Sequence, residues 1–97
     1  TRNWTESSCT ALFTYAIAKC LRLDIVSSDF KKNALMGYEG VLSKTEVRDN
    51  TLIMKDVCIG TAFGEVDYYF DRPRIENDLH GMGAFLLMCT EIYTLLQ

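Results

Sequence analysis

The sequence predicts a mainly α-helical chain: two nearly all-apolar helices flank a one-sided helix, and a small β-hairpin follows the second helix. Three observations carry this. From Cys9 to Leu23, 11 of 15 positions are apolar, and from Met82 to Leu96 the count is again 11 of 15. Between them, Phe30, Ala34, Tyr38 and Val41 fall on one stripe at helical spacing. A helix apolar around most of its circumference is buried on nearly all sides, whereas a striped one lies at the surface. An inner and an outer layer of an α/α hairpin follow.

Length turns this pattern into a constraint. Exposed Leu, Ile or Phe side chains each forgo about 1.5–3 kcal/mol, and a typical domain is held by only about 5–15 kcal/mol. A chain of 97 residues has little material with which to cover two all-apolar helices. The expectation is a single partial domain, residues 1–97, that belongs to something larger. Self-association through the apolar helices is expected of it, as a dimer pooling helices from two copies.

The elements read in order as follows. Thr10, Thr14, Lys19 and Arg22 interrupt the first helix. Ser27 and Ser28 before Asp29-Phe30 form an N-cap signal, and the second helix runs to about Lys44. Leu35 and Leu42 widen its stripe, while Lys31, Lys32, Glu39 and Lys44 face away. Arg48-Asp49-Asn50 is a turn signal. The β-formers of Thr51–Ile59 predict one strand and Val66–Phe70 a second, with Gly60 and Gly64 bracketing the loop between them. Pro73 then stiffens a loop in which Asn77 or Asp78 caps the last helix. Gly81 and Gly83 stand where the backbone approaches a neighbour or a ligand. Glu91, inside the last helix, predicts a structural hydrogen bond or salt bridge.

Composition excludes several classes. A net charge of −3 and a pI near 5.0 leave no electrostatic footprint for nucleic acid. No apolar run spans a bilayer uninterrupted, because Glu91 and two threonines divide the last helix. Thr1-Arg2-Asn3-Trp4 lacks the apolar core of a signal peptide. Among the four cysteines, Cys9, Cys20 and Cys89 sit in apolar helical patterns and read as buried free thiols. With no C-x-x-C pair and one histidine, neither a metal nor any other cofactor is expected. Asn3-Trp4-Thr5 fits a glycosylation sequon.

Four ordered blocks suggest a family. Trp4-Thr5-Glu6-Ser7-Ser8-Cys9-Thr10-Ala11-Leu12-Phe13-Thr14-Tyr15-Ala16-Ile17-Ala18-Lys19 resembles the E-T/S-S-x-(S/T)-A-M-F-x-Y-A-(L/I)-A-K segment of family 88/105 glycoside hydrolases, the unsaturated rhamnogalacturonyl and glucuronyl hydrolases. Val57-Cys58-Ile59-Gly60-Thr61 resembles their C-x-G-T loop, and Tyr68-Tyr69-Phe70-Asp71-Arg72-Pro73 their Y-Y-x-x-R-P. Asn77-Asp78-Leu79-His80-Gly81-Met82-Gly83-Ala84-Phe85 followed by Glu91 is similar to their N-D-x-H-G-x-G-(A/P)-F…E ending.

The resemblance implies the C-terminal portion, roughly the last quarter, of a six-hairpin α/α barrel (an α/α toroid), in a bacterial cytoplasm or periplasm. It implies hydration of the double bond of a 4,5-unsaturated uronic acid at the end of an oligosaccharide from pectin or a glycosaminoglycan. An aspartate acts there as general acid and base. That aspartate lies upstream of the matched segment, so this chain carries no assigned catalytic residue and is expected to be inert alone.

What remains is sugar-binding rim. Loops entering inner helices line the cavity of such barrels, which places Ser7, Ser8, Asn77 and His80 as substrate-binding candidates. Hydroxyls and amides both donate and accept, as sugar hydroxyls require. Each has a plainer role beside it: Ser7 and Ser8 are good helix caps, and a lone histidine is more often structural. Trp4 suits a sugar face, though a core position suits it better. Two other classes compete: a free-standing helical interaction module, favoured by excess hydrophobicity, and a redox or metal protein built on the cysteines.

Overall fold

The computed structural model describes residues 4–58, 60 and 63–97. Asn3 of the sequon and Ile59 and Thr61 of the C-x-G-T block lie outside the described residues. The elements are α1 (Ser7–Arg22), a 3-10 turn (Ser28–Phe30), α2 (Lys31–Leu42), β1 (Thr45–Arg48), β2 (Thr51–Met54), β3 (Val57–Cys58), α3 (Val66–Phe70), β4 (Arg74–Ile75) and α4 (Leu79–Leu95).

Helix α1 packs against both α2 and α4. Ala11 and Ala18 of α1, Ala34 and Val41 of α2, and Ala84, Phe85, Met88 and Ile92 of α4 form one buried cluster. The alanines let the helices approach closely. Gly37 goes further, because a Cβ there would lie 2.0 Å from Thr14 Oγ1. Helix α1 stops in a Schellman motif: Ile25 N–H donates to Cys20 O at 2.9 Å and Asp24 N–H to Leu21 O at 3.2 Å, with Asp24 at φ 57°. That left-handed residue is usually glycine. Here Asp and Asn fill every non-glycine position of this kind among the described residues: Asp24, Asp49, Asn50, Asp56 and Asn77.

Across the α1–α4 seam, Arg22 donates through Nε to Glu91 Oε2 and through Nη2 to Glu91 Oε1, both at 2.9 Å. Glu91 is therefore the structural ion pair that its position predicts. The Arg22 hydrogen bonds, outweighing burial, hold its carboxyl below the ordinary range. Hydrogen bonding and charge from Glu91 raise Arg22 in turn.

The β-hairpin lies elsewhere than the sequence predicts. Its strands are β1 and β2, antiparallel with Thr45 opposite Met54 and Arg48 opposite Thr51. Asp49 and Asn50 both have positive φ, 53° and 61°, which is the two-residue geometry that follows strand twist. The turn was legible, but the strand before it was not. Val66–Phe70, read as a strand, is the short helix α3. Its β-formers do not decide it; Tyr68 folds back over Gly64, where a Cβ would lie 2.9 Å from the ring, and meets Tyr69 edge-on at 5.2 Å. β3 pairs antiparallel with β4 through Val57–Ile75 and Cys58–Arg74.

The cysteine reading needs correction. All four thiols are free, but Cys9 is exposed, Cys20 and Cys89 are half-buried, and only Cys58 is buried. Cys9 sits in the first turn of α1, where it opens on a cavity rather than on the helix seam, so apolar neighbours in sequence do not cover it. Burial pushes the Cys89 thiol up. Among the described residues no helix is long and apolar enough to cross a membrane.

Candidate sugar-binding rim

The N-termini of α1 and α4 meet over the segment 52–58. Glu6, not Ser7 or Ser8, caps α1. Its Oε1 accepts the Cys9 N–H at 2.6 Å, and its Oε2 accepts the Cys58 N–H at 2.7 Å. The Ser8 hydroxyl lies 2.7–2.8 Å from both oxygens. One carboxylate thus satisfies an orphan donor of the helix and ties the helix to β3. Ser7 is the adjacent clamp: its N–H donates to Asp56 O at 2.9 Å and its hydroxyl to Lys55 O.

Helix α4 is anchored in a parallel way. Asp78 caps it, accepting the His80 N–H at 3.2 Å, and the same oxygen contacts His80 Nδ1. Asn77, at φ 54°, is left-handed and bonds the edge of β2. Its Oδ1 accepts the Met54 N–H at 2.7 Å, its Nδ2 donates to Leu52 O at 3.0 Å, and its own N–H donates to Met54 O at 3.0 Å. Gly81 then rests on Val57, where a Cβ would stand 2.8 Å from each methyl. Gly83 differs: nothing lies within 4 Å of a Cβ there. The close approach foreseen for both glycines belongs to Gly81, because Gly83 is on the outer side of the helix.

These anchors leave a cavity of about 390 Å³ lined by Glu6, Ser8, Cys9, Cys58, Gly60, Arg72 and His80. Two of the four predicted site residues, Ser8 and His80, line it. The other two do not: Ser7 is 1% exposed, and its polar groups, like those of Asn77, are engaged by backbone. Their chemistry suits sugar hydroxyls and peptide groups equally, so sequence alone did not separate the uses.

Arg72 also lines the cavity and is not among the residues predicted for it, although its motif was legible. Its Nε donates to Tyr69 O at 2.7 Å, and its guanidinium lies 5.5 Å from the Trp4 ring centre and 5.7 Å from that of Tyr69. Arg74 lies 5.1 Å from the Trp4 ring. Trp4 is half-buried beneath these cations, and its indole N–H is buried without a hydrogen-bond partner among the described residues. Cation–π contacts of this kind contribute about 0.5–2 kcal/mol each, enough to hold Arg72 at the cavity edge.

The described lining of the cavity is mixed in chemistry. Glu6 is the one carboxylate among its described lining residues, and both its oxygens already accept bonds. Most retaining and inverting glycosidases need two carboxyl groups flanking the scissile bond. Among the described residues no cluster of three His, Cys, Asp or Glu could hold a metal ion.

Comparison with known proteins gives this geometry its context. The model of glycosyl hydrolase family 88 matches residues 1–96. The chain belongs to that family. Solved structures similar to it include a family 105 glycoside hydrolase from C. acetobutylicum, at 27% identity and a TM-score of 0.86 over 97% of this chain. Two possible members of family 105, from Klebsiella pneumoniae and Salmonella enterica, match at 23% identity with TM-scores of 0.83 and 0.84, each over 98% of this chain. The chain spans only 24–29% of the length of those three. Its fold is therefore a segment of the family's six-hairpin α/α barrel, with α1 packed against both α4 and α2.

Proposed function

We propose that this family 88 segment is the last quarter of a hydrolase acting on oligosaccharides that end in an unsaturated uronic acid, from pectin or a glycosaminoglycan. Its part is to build one side of the sugar-binding rim. The observation that carries this is the convergence of both inner-helix N-termini, with Ser8 and His80, on one cavity. His80 supplies a ring nitrogen, Ser8 a hydroxyl and Arg72 a cation, each held by local anchors. Glu6 and Asp78 orient these groups and carry no proton in the reaction. The general acid and base comes from an aspartate of the preceding hairpins, so the isolated chain binds weakly and does not turn over.

The test is the ultraviolet absorbance of the substrate's double bond. A longer protein carrying this segment loses that absorbance with time, and the 97-residue chain does not. Turnover by the isolated chain, abolished by changing one of its own carboxylates, overturns the assignment.

A further inference from the structure

Two side chains of the cavity have their hydrogens already committed. The Ser8 hydroxyl lies 2.8 and 2.7 Å from the two oxygens of Glu6, and each of those oxygens also accepts a backbone N–H, one from Cys9 and one from Cys58. A carboxylate holding those bonds has no proton to give. The single hydrogen of Ser8 is therefore turned to Glu6, and only lone pairs of Oγ remain for the cavity. His80 is held in the same sense. Asp78 Oδ1 accepts the His80 N–H at 3.2 Å and contacts Nδ1 of the ring. An acceptor at Nδ1 keeps the proton of the neutral imidazole there and leaves Nε2 as a lone pair. A second groove, of about 320 Å³ between α1 and α2, is lined mainly by apolar residues, Ile17, Val26 and Phe30 among them, and has no such pair.

We infer that Ser8 and neutral His80 form an acceptor-only wall of the cavity, which takes hydrogen bonds from ligand hydroxyls and gives none. The inference deepens the sugar-binding reading and rests on it for the ligand, whereas the state of the two side chains rests on their geometry alone. A ligand hydroxyl facing this wall acts as a donor. A carboxylate offers lone pairs only, so neither Ser8 nor His80 receives it. The carboxylate of a uronide is thereby turned towards Arg72, whose guanidinium has donors only and which lines the same cavity. Specificity then comes from the direction of the hydrogen bonds: hydroxyl donors on one side of the ligand, its anionic group on the other. Asp78 touches no ligand in this arrangement. It is a positioning residue that acts through His80.

His80 is the only histidine of the chain, so long-range proton–nitrogen correlation NMR of the 97-residue chain reads its tautomer directly. At about pH 8, where an imidazole is ordinarily neutral, the proton is expected on Nδ1 and none on Nε2. Asp78→Ala, lacking the acceptor, moves the proton to Nε2. Asp78→Asn, whose amide oxygen still accepts, keeps it on Nδ1 and keeps the helix cap. A proton on Nε2 in the wild type overturns the inference, as does an Nδ1 proton that survives Asp78→Ala; if Asp78→Ala does not fold, the wild-type tautomer decides. The ligand arm uses an unsaturated uronide disaccharide and its deoxyfluoro analogues, in which fluorine takes the place of one hydroxyl but cannot donate. At one position at least, fluorine is expected to weaken binding about fivefold, the factor of one hydrogen bond, and that penalty disappears in His80→Ala. If the sugars bind and no position behaves so, the wall is overturned. If the Nδ1 tautomer is present and none of the sugars binds, the wall is upheld and the sugar-binding reading is the one that fails.

Discussion

Replacing Gly81 by alanine puts packing and helix propensity in direct opposition. Gly81 lies in the first turns of α4 with an ordinary helical φ, so alanine gains about 1 kcal/mol of propensity there. Against this, the new Cβ would stand 2.8 Å from both methyls of Val57, where carbon atoms settle at about 3.5–4.0 Å. Val57 has no room to yield. It is 0% exposed, its β-branched side chain is stiff, and its backbone is paired with Ile75. Overpacking of this kind costs about 1–3 kcal/mol, so the net change is about 0–2 kcal/mol of destabilisation. Gly83→Ala is the internal control. It gains the same propensity and meets nothing within 4 Å, so the two variants differ by about 1–3 kcal/mol in favour of Gly83→Ala. Urea unfolding followed by circular dichroism at one fixed protein concentration measures the gap. In a Val57→Ala background the penalty of Gly81→Ala disappears, as contact residues couple. Equal stability of the two alanine variants would refute the packing assignment.

Three further outcomes follow from the same geometry. Asn77→Ala leaves the Met54 N–H without its partner and costs about 1–3 kcal/mol; an unchanged melting temperature would show that the amide does not pin α4 to β2. Arg22 holds the Glu91 carboxyl below its ordinary range, so the pair stabilises the fold above about pH 4.3, the unfolded value, and that contribution is lost as pH falls further. Glu91→Gln is therefore less stable than wild type at pH 7, and the difference shrinks towards pH 3; a gap independent of pH removes the ion pair from the account. Glu6→Ala frees the Cys9 and Cys58 N–H groups together, costing at least the roughly 0.5–2 kcal/mol of a lost cap, and hydrogen exchange at both amides rises; protection kept at Cys58 contradicts the shared anchor.

The helices were legible because apolar density and stripe width are averaged over many residues. The turn at Asp49-Asn50 was legible because few residues tolerate left-handed backbone. β1 was not, since Thr45-Glu46-Val47-Arg48 is short and largely exposed, and it carries no burial pattern. α3 escaped because it is only five residues long and its Tyr side chains contact close sequence neighbours, Gly64 and Arg72, rather than forming a stripe. At the rim, Asp78 was readable as a cap, whereas Glu6 was not, because its reach to a second segment, at Cys58, is a tertiary fact. His80 and Ser8, which line the cavity, were named through the family resemblance. Asn77 and Ser7 were drawn in by the same resemblance, but their polar groups serve the backbone of 52–56.

The most direct measurement is a two-dimensional NMR titration of the 97-residue chain with an unsaturated uronide disaccharide. The amides of Cys9, Cys58, Gly60 and His80, around the cavity, are predicted to shift together and saturably, with those of the groove at Ile17, Val26 and Phe30 unmoved. His80→Ala weakens the response while leaving the unfolding free energy within about 0.5 kcal/mol of wild type, as an exposed substitution does. Shifts centred on the groove, or none at the cavity as the ligand is raised, would contradict the sugar-binding rim.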